Sequence, residues 1–293
     1  MKKAKRWFLI IGAILLAIVI SHLIYLYSLT PDETYPEDSY FTYRDPGTAL
    51  IVVAHDDDAS MFSGTTSLLV EKGWKVHWMC FYNSYNHVEE IPIRKEEMKK
   101  VAEFQGISSL RMIDFNMRNR LDTVRFPYIA IPYSEFATNF KMDSLKLFIQ
   151  TAIQELSPTV IFSLDDQIGG YGHPEHVVVS KMILEVCQKW NESQPLSVQR
   201  IYQNVWPPSQ SQRIMGDQGV FGASKKIYGV PGMPEPDVEI DISDQGVSKM
   251  RVLTTFKSQK RNLKKFAPFF YLYPGEVYFR VFDKEHFRVI EME

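Results

Sequence analysis

The chain has 293 residues, of which 45% are hydrophobic and 23% charged, and this composition excludes a disordered, collagen-like or coiled-coil protein. Its net charge is −2 although four of the first six residues are basic, so the remaining chain is acidic and a nucleic-acid partner is not expected. The two cysteines each lie in an apolar run, which excludes a disulfide framework and a zinc finger.

The first predicted element is an apolar helix long enough to cross a membrane. No residue from Trp7 to Leu29 carries a formal charge, and at ~1.5 Å per residue such a helix reaches ~30 Å, the thickness of a bilayer core. The alternative, a cleaved signal peptide, has a shorter apolar stretch of about 7–15 residues. Residues 1–29 are therefore predicted to be a basic N-terminus with a transmembrane anchor, residues 30–46 a linker, and residues 47–293 one folded domain.

The flanking charges predict an orientation for this anchor. Basic residues precede the apolar run and acidic residues follow it. By the positive-inside rule, the N-terminus is cytoplasmic and the domain lies outside the cytoplasm, in the periplasm or the extracellular space.

The remaining chain alternates between strand and helix patterns. Strands are predicted at 48–54, 74–83, 110–115 and 159–164, and helices at 60–73, 93–106, 143–156 and 173–190. Near the end, a helix is predicted at 243–266 and strands at 276–282 and 287–292, whereas 116–142 and 206–237 are predicted loops. This order predicts an α/β, Rossmann-like fold with a mostly parallel sheet, helices on both faces and a ligand site beyond the carboxyl ends of the strands.

Ionisable residues follow the first predicted strand. His55, Asp56, Asp57 and Asp58 come directly after its apolar run. Four ionisable groups at the end of a buried strand are costly without compensation, and a divalent cation would supply it. The alternative is that the carboxylates cap the following helix and complement its dipole.

A second polar stretch, GGYGHPEH, follows the strand at 159–164 and opens the next helix. Pro174 suits a first helical position, which puts His173 and His176 on or near one face. Two imidazoles and one carboxylate with an open position are typical of a hydrolytic zinc site. The same donor set also occurs in non-haem iron oxygenases, although on β-rich scaffolds, and single histidines are often only structural.

These two stretches resemble the motifs of the PIG-L/LmbE-like zinc N-deacetylases. AHDDDAS is similar to AHPDDE, and GGYGHPEHVVVS is similar to GHPDH; Gly64, Arg94 with Glu97, and FKSQ near the C-terminus match further family positions in order. The resemblance covers about residues 47–290. It implies a zinc-dependent hydrolase that removes the acetyl group from an N-acetylglucosamine-type amino sugar or glycoconjugate. Anchored eukaryotic members face the cytosol, whereas the charges here predict export.

The resemblance also implies a role for each motif residue. His55, Asp58 and His176 would hold the zinc ion, and Asp57 would be the general base. If the loop slips by one residue, Asp56 and Asp57 would take the roles of Asp57 and Asp58.

Three further residues receive roles from the resemblance. His173 and Tyr171 would face the oxyanion that develops during hydrolysis. Arg94 would contact substrate or brace the site, and its alternative is a salt bridge to Glu97 or Glu90.

Two departures from the family motif leave a second function open. Asp56 replaces the family's proline, and Ala59 replaces a glutamate. Changes next to metal ligands commonly cost about ten- to a hundredfold in affinity or activity. A degenerate member that binds a glycan without hydrolysing it is therefore the alternative prediction.

Overall fold

A seven-stranded mixed sheet organises the computed structural model, which describes residues 2–83, 88–119, 128–191 and 197–292. Its strands are β1 Thr48–Val53, β2 Lys75–Tyr82, β3 Ser109–Asp114, β4 Val160–Leu164, β5 Arg200–Asn204, β6 Val238–Asp241 and β7 Lys284–Glu291. The spatial order is β3-β2-β1-β4-β5-β7-β6. The first five strands are parallel and β7 is antiparallel to both its neighbours. The predicted α/β fold is confirmed; the sheet, predicted to be mostly parallel, is mixed, because β7 runs against its neighbours.

Helices cover both faces of this sheet. In chain order, the helices of the described residues are α1 Lys2–Tyr27, α2 Ser63–Glu71, α3 Ile91–Phe104, α4 Phe136–Asn139, α5 Met142–Leu156, α6 Gly169–Gly172, α7 Pro174–Asn191, α8 Pro208–Met215, α9 Gly219–Tyr228, α10 Gly246–Thr255, α11 Lys260–Phe266 and α12 Gly275–Tyr278. Successive strand residues point to opposite faces, so Ile51 packs in the core beneath α2 and α10, whereas Leu50 packs in the core beneath α5 and α7. Because both faces of the sheet are buried at β1, the residues of this strand form a continuous apolar run.

The C-terminal third differs from the sequence prediction. The helix predicted at 243–266 is interrupted between α10 and α11, where the backbone N–H of Ser258 and its hydroxyl donate to the buried Glu97. The strand predicted at 276–282 is wrong, because α12 begins after Pro274 and the hydroxyl of Tyr278 donates to the Pro268 carbonyl. The predicted loop at 206–237 contains α8 and α9.

Helix α1 continues into the folded domain. Its segment Lys5–Tyr27 is long and apolar enough to cross a membrane, and only 6% of its most apolar window is buried. At its end, Leu26 and Leu29 join the core on the α10 face of the sheet, as does Phe41 within the predicted linker. The backbone of Glu37 forms an isolated parallel β-bridge with the backbone of Glu239 in β6. The predicted linker is therefore packed against the sheet, and the domain boundaries stay a prediction.

Candidate metal centre

The two polar stretches meet where the strand order of the sheet reverses. β1 and β4 are neighbouring parallel strands, with β2 and β3 beyond one and β5 beyond the other. In an open parallel sheet of this order, a crevice forms between the carboxyl ends of the two central strands. His55 follows β1 and the 165–176 segment follows β4, so both stretches open into that crevice.

Three side chains converge there, and their atoms that could bind a metal ion lie at similar distances from one another. His55 Nδ1 lies 3.0 Å from His176 Nε2, Asp58 Oδ1 lies 3.2 Å from His176 Nε2, and Asp58 Oδ2 lies 3.4 Å from His55 Nδ1. Tetrahedral zinc with ligands at ~2.0–2.1 Å has ligand atoms about 3.3 Å apart. The donor set therefore fits a tetrahedral cation in both chemistry and size.

Hydrogen bonds on the far side of each imidazole fix which nitrogen faces the crevice. His176 Nδ1 lies 2.9 Å from the Gly169 carbonyl, and His55 Nε2 lies 2.9 Å from Glu175 Oε2. The Gly169 carbonyl and the Glu175 carboxylate can only accept hydrogen bonds, so His176 Nδ1 and His55 Nε2 carry the protons. The other ring nitrogens, His176 Nε2 and His55 Nδ1, face Asp58. Glu175 in turn accepts from Arg118 Nε at 2.9 Å. Such carboxylate and carbonyl partners typically orient metal-ligating histidines.

His173 is a third imidazole beside this donor group. Its ligand nitrogen lies within 4.8 Å of those of His55 and His176, so the three histidines could also hold a metal ion. Its Nδ1 accepts from the backbone N–H of Glu175 at 3.2 Å, which places the proton on Nε2. Because Asp58 approaches both other histidines at 3.2–3.4 Å, Asp58 completes a tighter set than His173 does.

The electrostatics of the pair His55 and Asp58 suit a cation. Burial opposes charge on His55, but hydrogen bonds to Asp58 and Glu175 raise the pKa of His55 to about 10. Burial also opposes the Asp58 carboxylate, yet the neighbouring His176 and His55 lower the pKa of Asp58. The site thus attracts a proton to His55, and a divalent cation binding there would displace that proton.

Asp56 and Asp57 are held by an arginine from α3. Arg94 Nε donates to Asp56 Oδ1 at 2.9 Å and its terminal nitrogen donates to Asp57 Oδ1 at 3.0 Å. The hydroxyl of Tyr82 donates to Asp56 Oδ2 at 3.2 Å, and Asp56 is fully buried. Burial raises the pKa of Asp57 to about 6 even though Arg94 opposes that shift. Asp57, whose side chain is 18% exposed, is thus the more accessible of the two.

The loop after β4 is built around a buried carboxylate. Asp165 accepts backbone N–H groups of Gln167 at 3.0 Å and of Ile168 and Gly170 at 2.6 Å. Gly169 has a φ of +62°, and a Cβ there would lie 2.6 Å from His176 Cβ. Only glycine fits this conformation and this close approach, and its carbonyl is the acceptor for His176.

Comparison with known proteins identifies the part of the chain that carries this centre. Residues 50–187 match the family model described as "PIG-L: GlcNAc-PI de-N-acetylase". Residues 50–187 are therefore similar to this family. A Bacillus cereus protein named probable N-acetyl-alpha-D-glucosaminyl L-malate deacetylase 2 is 25% identical over 222 residues, which are 72% of this chain and 82% of that protein.

Solved structures share the fold of this chain. An N,N'-diacetylchitobiose deacetylase from Pyrococcus horikoshii superposes with a TM-score of 0.53 at 16% identity, over 87% of each chain. A teicoplanin deacetylase in its zinc-inhibited form gives 0.54 at 13% identity, over 83% of this chain and 98% of that one. A 4-carboxy-2-hydroxymuconate hydratase from Pseudomonas putida gives 0.53 at 14% identity, over 83% and 96%. The fold thus occurs with more than one reaction, so site chemistry must decide the function.

Every predicted site residue lies in or beside this crevice. His55, Asp58 and His176 are brought together, His173 lies beside them, and Asp57 with Arg94 forms the adjoining ion pair. Tyr171 packs its ring against His176 at 5.3 Å and Phe266 at 5.0 Å between centroids. Arg94 pairs with aspartates rather than with Glu97 or Glu90, and its predicted contact with substrate stays a prediction.

Three supporting residues of this candidate centre were not found by sequence reasoning. Glu175 lies inside the GHPEH motif and Asp165 lies at the end of a strand, so these positions could have identified both residues as part of the site. Arg118 lies in the stretch predicted as a loop, and no local pattern pointed to it.

Neither of the two departures from the family motif removes a possible metal ligand from the centre. Asp56 turns its carboxylate to Arg94 and Tyr82. Its charge is therefore neutralised by an ion pair with Arg94. Ala59 is fully buried in the core on the α10 face.

Proposed function

We propose that this chain is a membrane-anchored, zinc-dependent de-N-acetylase that acts on an N-acetylglucosamine-type amino sugar or glycoconjugate. The convergence of His55, Asp58 and His176 at tetrahedral spacing is the observation that carries the proposal. The match of residues 50–187 to the de-N-acetylase family model and the deacetylase names of similar proteins support the reaction and the class of substrate.

The centre would supply the chemistry that amide hydrolysis needs. Zinc, held by His55, Asp58 and His176, would lower the pKa of a water molecule and polarise the acetamide carbonyl. Asp57 would accept the proton of the attacking water, since burial raises the pKa of Asp57 to about 6, near the value that suits a general base at neutral pH. The same carboxyl group would return a proton to the leaving amine as the carbon–nitrogen bond breaks, which releases acetate and a free amino sugar.

His173 and Tyr171 are the proposed donors to the developing oxyanion. The proton of His173 is on Nε2, because Nδ1 accepts from the Glu175 backbone. Burial, with the charges of His55 and His176, lowers the pKa of His173 well below its usual value, and burial raises that of Tyr171. Both side chains would therefore be neutral donors at physiological pH, and neutral donors fixed by packing stabilise a transition-state charge without reorganising.

Helix α1 would anchor the enzyme in a membrane with its N-terminus in the cytoplasm. Its length, its apolar surface and the basic residues before it support this orientation. The domain would then act outside the cytoplasm.

The non-catalytic, glycan-binding alternative rests on Asp56 and Ala59. It is the weaker proposal, because Asp56 is paired with Arg94 and the three donor side chains are all present.

Acetate release by the full-length chain in detergent tests the proposal directly. We expect the wild-type protein with zinc to release acetate from N-acetylglucosamine glycosides. Asp57→Asn should lower kcat by about 10²–10⁴, the usual contribution of a general base, while retaining zinc by elemental mass spectrometry. His176→Ala should lose both zinc and activity, and His77→Gln, a change at a histidine in β2 that bonds Ser109, should lose neither.

Two results would contradict this assignment. Full activity of Asp57→Asn would remove Asp57 from the role of base. Sugar binding by a zinc-loaded wild-type protein that releases no acetate would favour the glycan-binding alternative.

A further inference from the structure

One segment of the acidic chain is strongly basic. Between Gln245 and Gly275 the sequence has seven Lys or Arg residues and no Asp or Glu, although the net charge of the whole chain is −2. Four of these seven lie on α11 and are exposed: Lys260, Arg261, Lys264 and Lys265. The opposite side of α11 is apolar, since Leu263 is buried in the core and Phe266 packs on Tyr171.

Exposed apolar and aromatic side chains lie beside these charges. Tyr271 is 43% exposed and Leu272 is 56% exposed. The ammonium groups of Lys264 and Lys260 lie 4.0 Å and 5.5 Å from the centroid of the Tyr271 ring. We call these two residues and the four basic residues of α11 the aromatic–basic surface. Tyrosine with long cationic side chains is the combination found where proteins meet the headgroup layer of a membrane.

The aromatic–basic surface adjoins the end of the predicted membrane span. The ring of His22 stacks on Tyr273 at 5.6 Å and meets Phe269 edge-on at 4.8 Å between centroids, and its Nδ1 is hydrogen-bonded to the Tyr273 hydroxyl. His22 precedes the helix end at Tyr27 by about 7–8 Å along the helix axis. Segment 269–273 therefore lies beside the last turns of α1 rather than beyond its end.

From this placement we infer that the aromatic–basic surface rests on the anionic headgroup layer of the membrane that α1 crosses. The inference rests on the proposed anchoring, because the depth of Tyr273 is set by its contact with α1. Tyr271 and Leu272 enter the interfacial layer, and the four α11 side chains pair with lipid phosphates. Since Phe266 of α11 contacts Tyr171 of the metal centre, this surface also fixes one wall of the crevice close to the bilayer.

Depth-dependent fluorescence quenching on the full-length chain tests this contact. A cysteine at Leu272 is labelled with a fluorophore; the native Cys80 and Cys187 are buried and do not compete. The protein is reconstituted into phosphatidylcholine bilayers with or without phosphatidylglycerol, and lipids with a spin label near the headgroup serve as quenchers. Leu147→Cys is the matched control, because Leu147 is 62% exposed on α5, on the opposite face of the sheet.

We expect several-fold stronger quenching at position 272 than at position 147, with a further increase in phosphatidylglycerol and a decrease at high salt. Replacing Lys260, Arg261, Lys264 and Lys265 with Gln should abolish the phosphatidylglycerol and salt effects. The matched charge control, Lys146→Gln with Lys189→Gln on α5 and α7, should leave them unchanged.

A third labelled position separates this inference from the anchoring proposal. Ile14→Cys lies in the middle of α1 and should be quenched by lipids labelled deep in the acyl chain. Quenching at position 14 with equal, weak quenching at positions 272 and 147 would overturn the inference alone. Absence of quenching at position 14 would overturn the anchoring and the inference together.

Discussion

The loops after β1 and β4 meet at the same candidate metal centre, but different interactions hold them. The β1 loop presents consecutive aspartates. The Asp56 carboxylate accepts one local N–H, that of Asp57, but its side-chain partners come from distant parts of the chain, Tyr82 in β2 and Arg94 in α3. The β4 loop is held by its own backbone, since Asp165 accepts three N–H groups from within five residues. One loop depends on charge compensation across the fold, and the other on local conformation.

This difference predicts how each loop fails. Removing a distant partner from the β1 loop leaves a buried charge without compensation, which is among the most destabilising single changes. Changing the β4 loop strains a few backbone angles and displaces His176, which is a smaller and more local effect.

The largest effect is expected from Arg94→Met. This change leaves Asp56 fully buried without its cation, and breaking a buried pair from one side costs about 3–5 kcal/mol. Denaturant unfolding of the purified chain in detergent would measure the loss. Adding Asp56→Asn to Arg94→Met should recover most of it.

Arg111→Met is the matched control for that prediction. Arg111 pairs with Glu155 at 2.7 Å, but both side chains are partly exposed, at 28% and 57%. Exposed pairs contribute about 0–1 kcal/mol. Equal losses for the two variants would contradict the proposed role of burial at Asp56.

A smaller effect is expected from Glu175→Gln, at the junction of the two loops. Glu175 accepts from His55 and from Arg118, and the amide keeps its size but removes its charge. Zinc affinity should fall about ten- to a hundredfold, the usual cost of losing the partner of a metal-ligating histidine. Competition with a chromophoric chelator would measure it. Glu185→Gln, on the same helix but in an exposed pair with Lys189, should bind zinc like wild type.

The smallest effect is expected from Gly170→Ala in the β4 loop, and the neighbouring Gly169 provides an internal comparison. Gly169 and Gly170 have φ of +62° and +75°, but an added Cβ meets His176 only at Gly169 and nothing within 4 Å at Gly170. Both substitutions should cost about 1–2 kcal/mol for the left-handed backbone, and Gly169→Ala about 1 kcal/mol more for the contact. Thermal unfolding would compare them. A larger loss at Gly170 would contradict the steric argument.

The same contrast explains which parts of the fold could be predicted. β1, β2 and β4 are apolar runs buried on both faces, and these are recognisable locally. β5, RIYQN, mixes apolar and polar residues, and β6 has only four residues, so neither stands out from its surroundings. The break between α10 and α11 depends on Glu97, a residue far away in sequence.

The site follows the same rule. His55, Asp58, His173 and His176 stand in two short motifs at strand ends, and the sheet topology alone brings them together. The pairing of Asp56 with Arg94 could not be predicted, because three consecutive aspartates look equivalent in sequence and only the tertiary position of α3 distinguishes them. Arg118 is likewise defined only by the folded position of Glu175.

The packing of Leu26, Leu29 and Phe41 into the core has a consequence for the reach of the enzyme. A flexible linker as long as residues 30–46 would let its two ends separate by about 20 Å on average and sample many heights above a bilayer. In this structure, contacts with the sheet hold the segment in place and remove that freedom. With α1 in a membrane, the crevice would stay at one height above the bilayer and at one tilt. The enzyme would therefore meet its substrates by lateral diffusion in the plane of the membrane, and only those within a thin layer at that height.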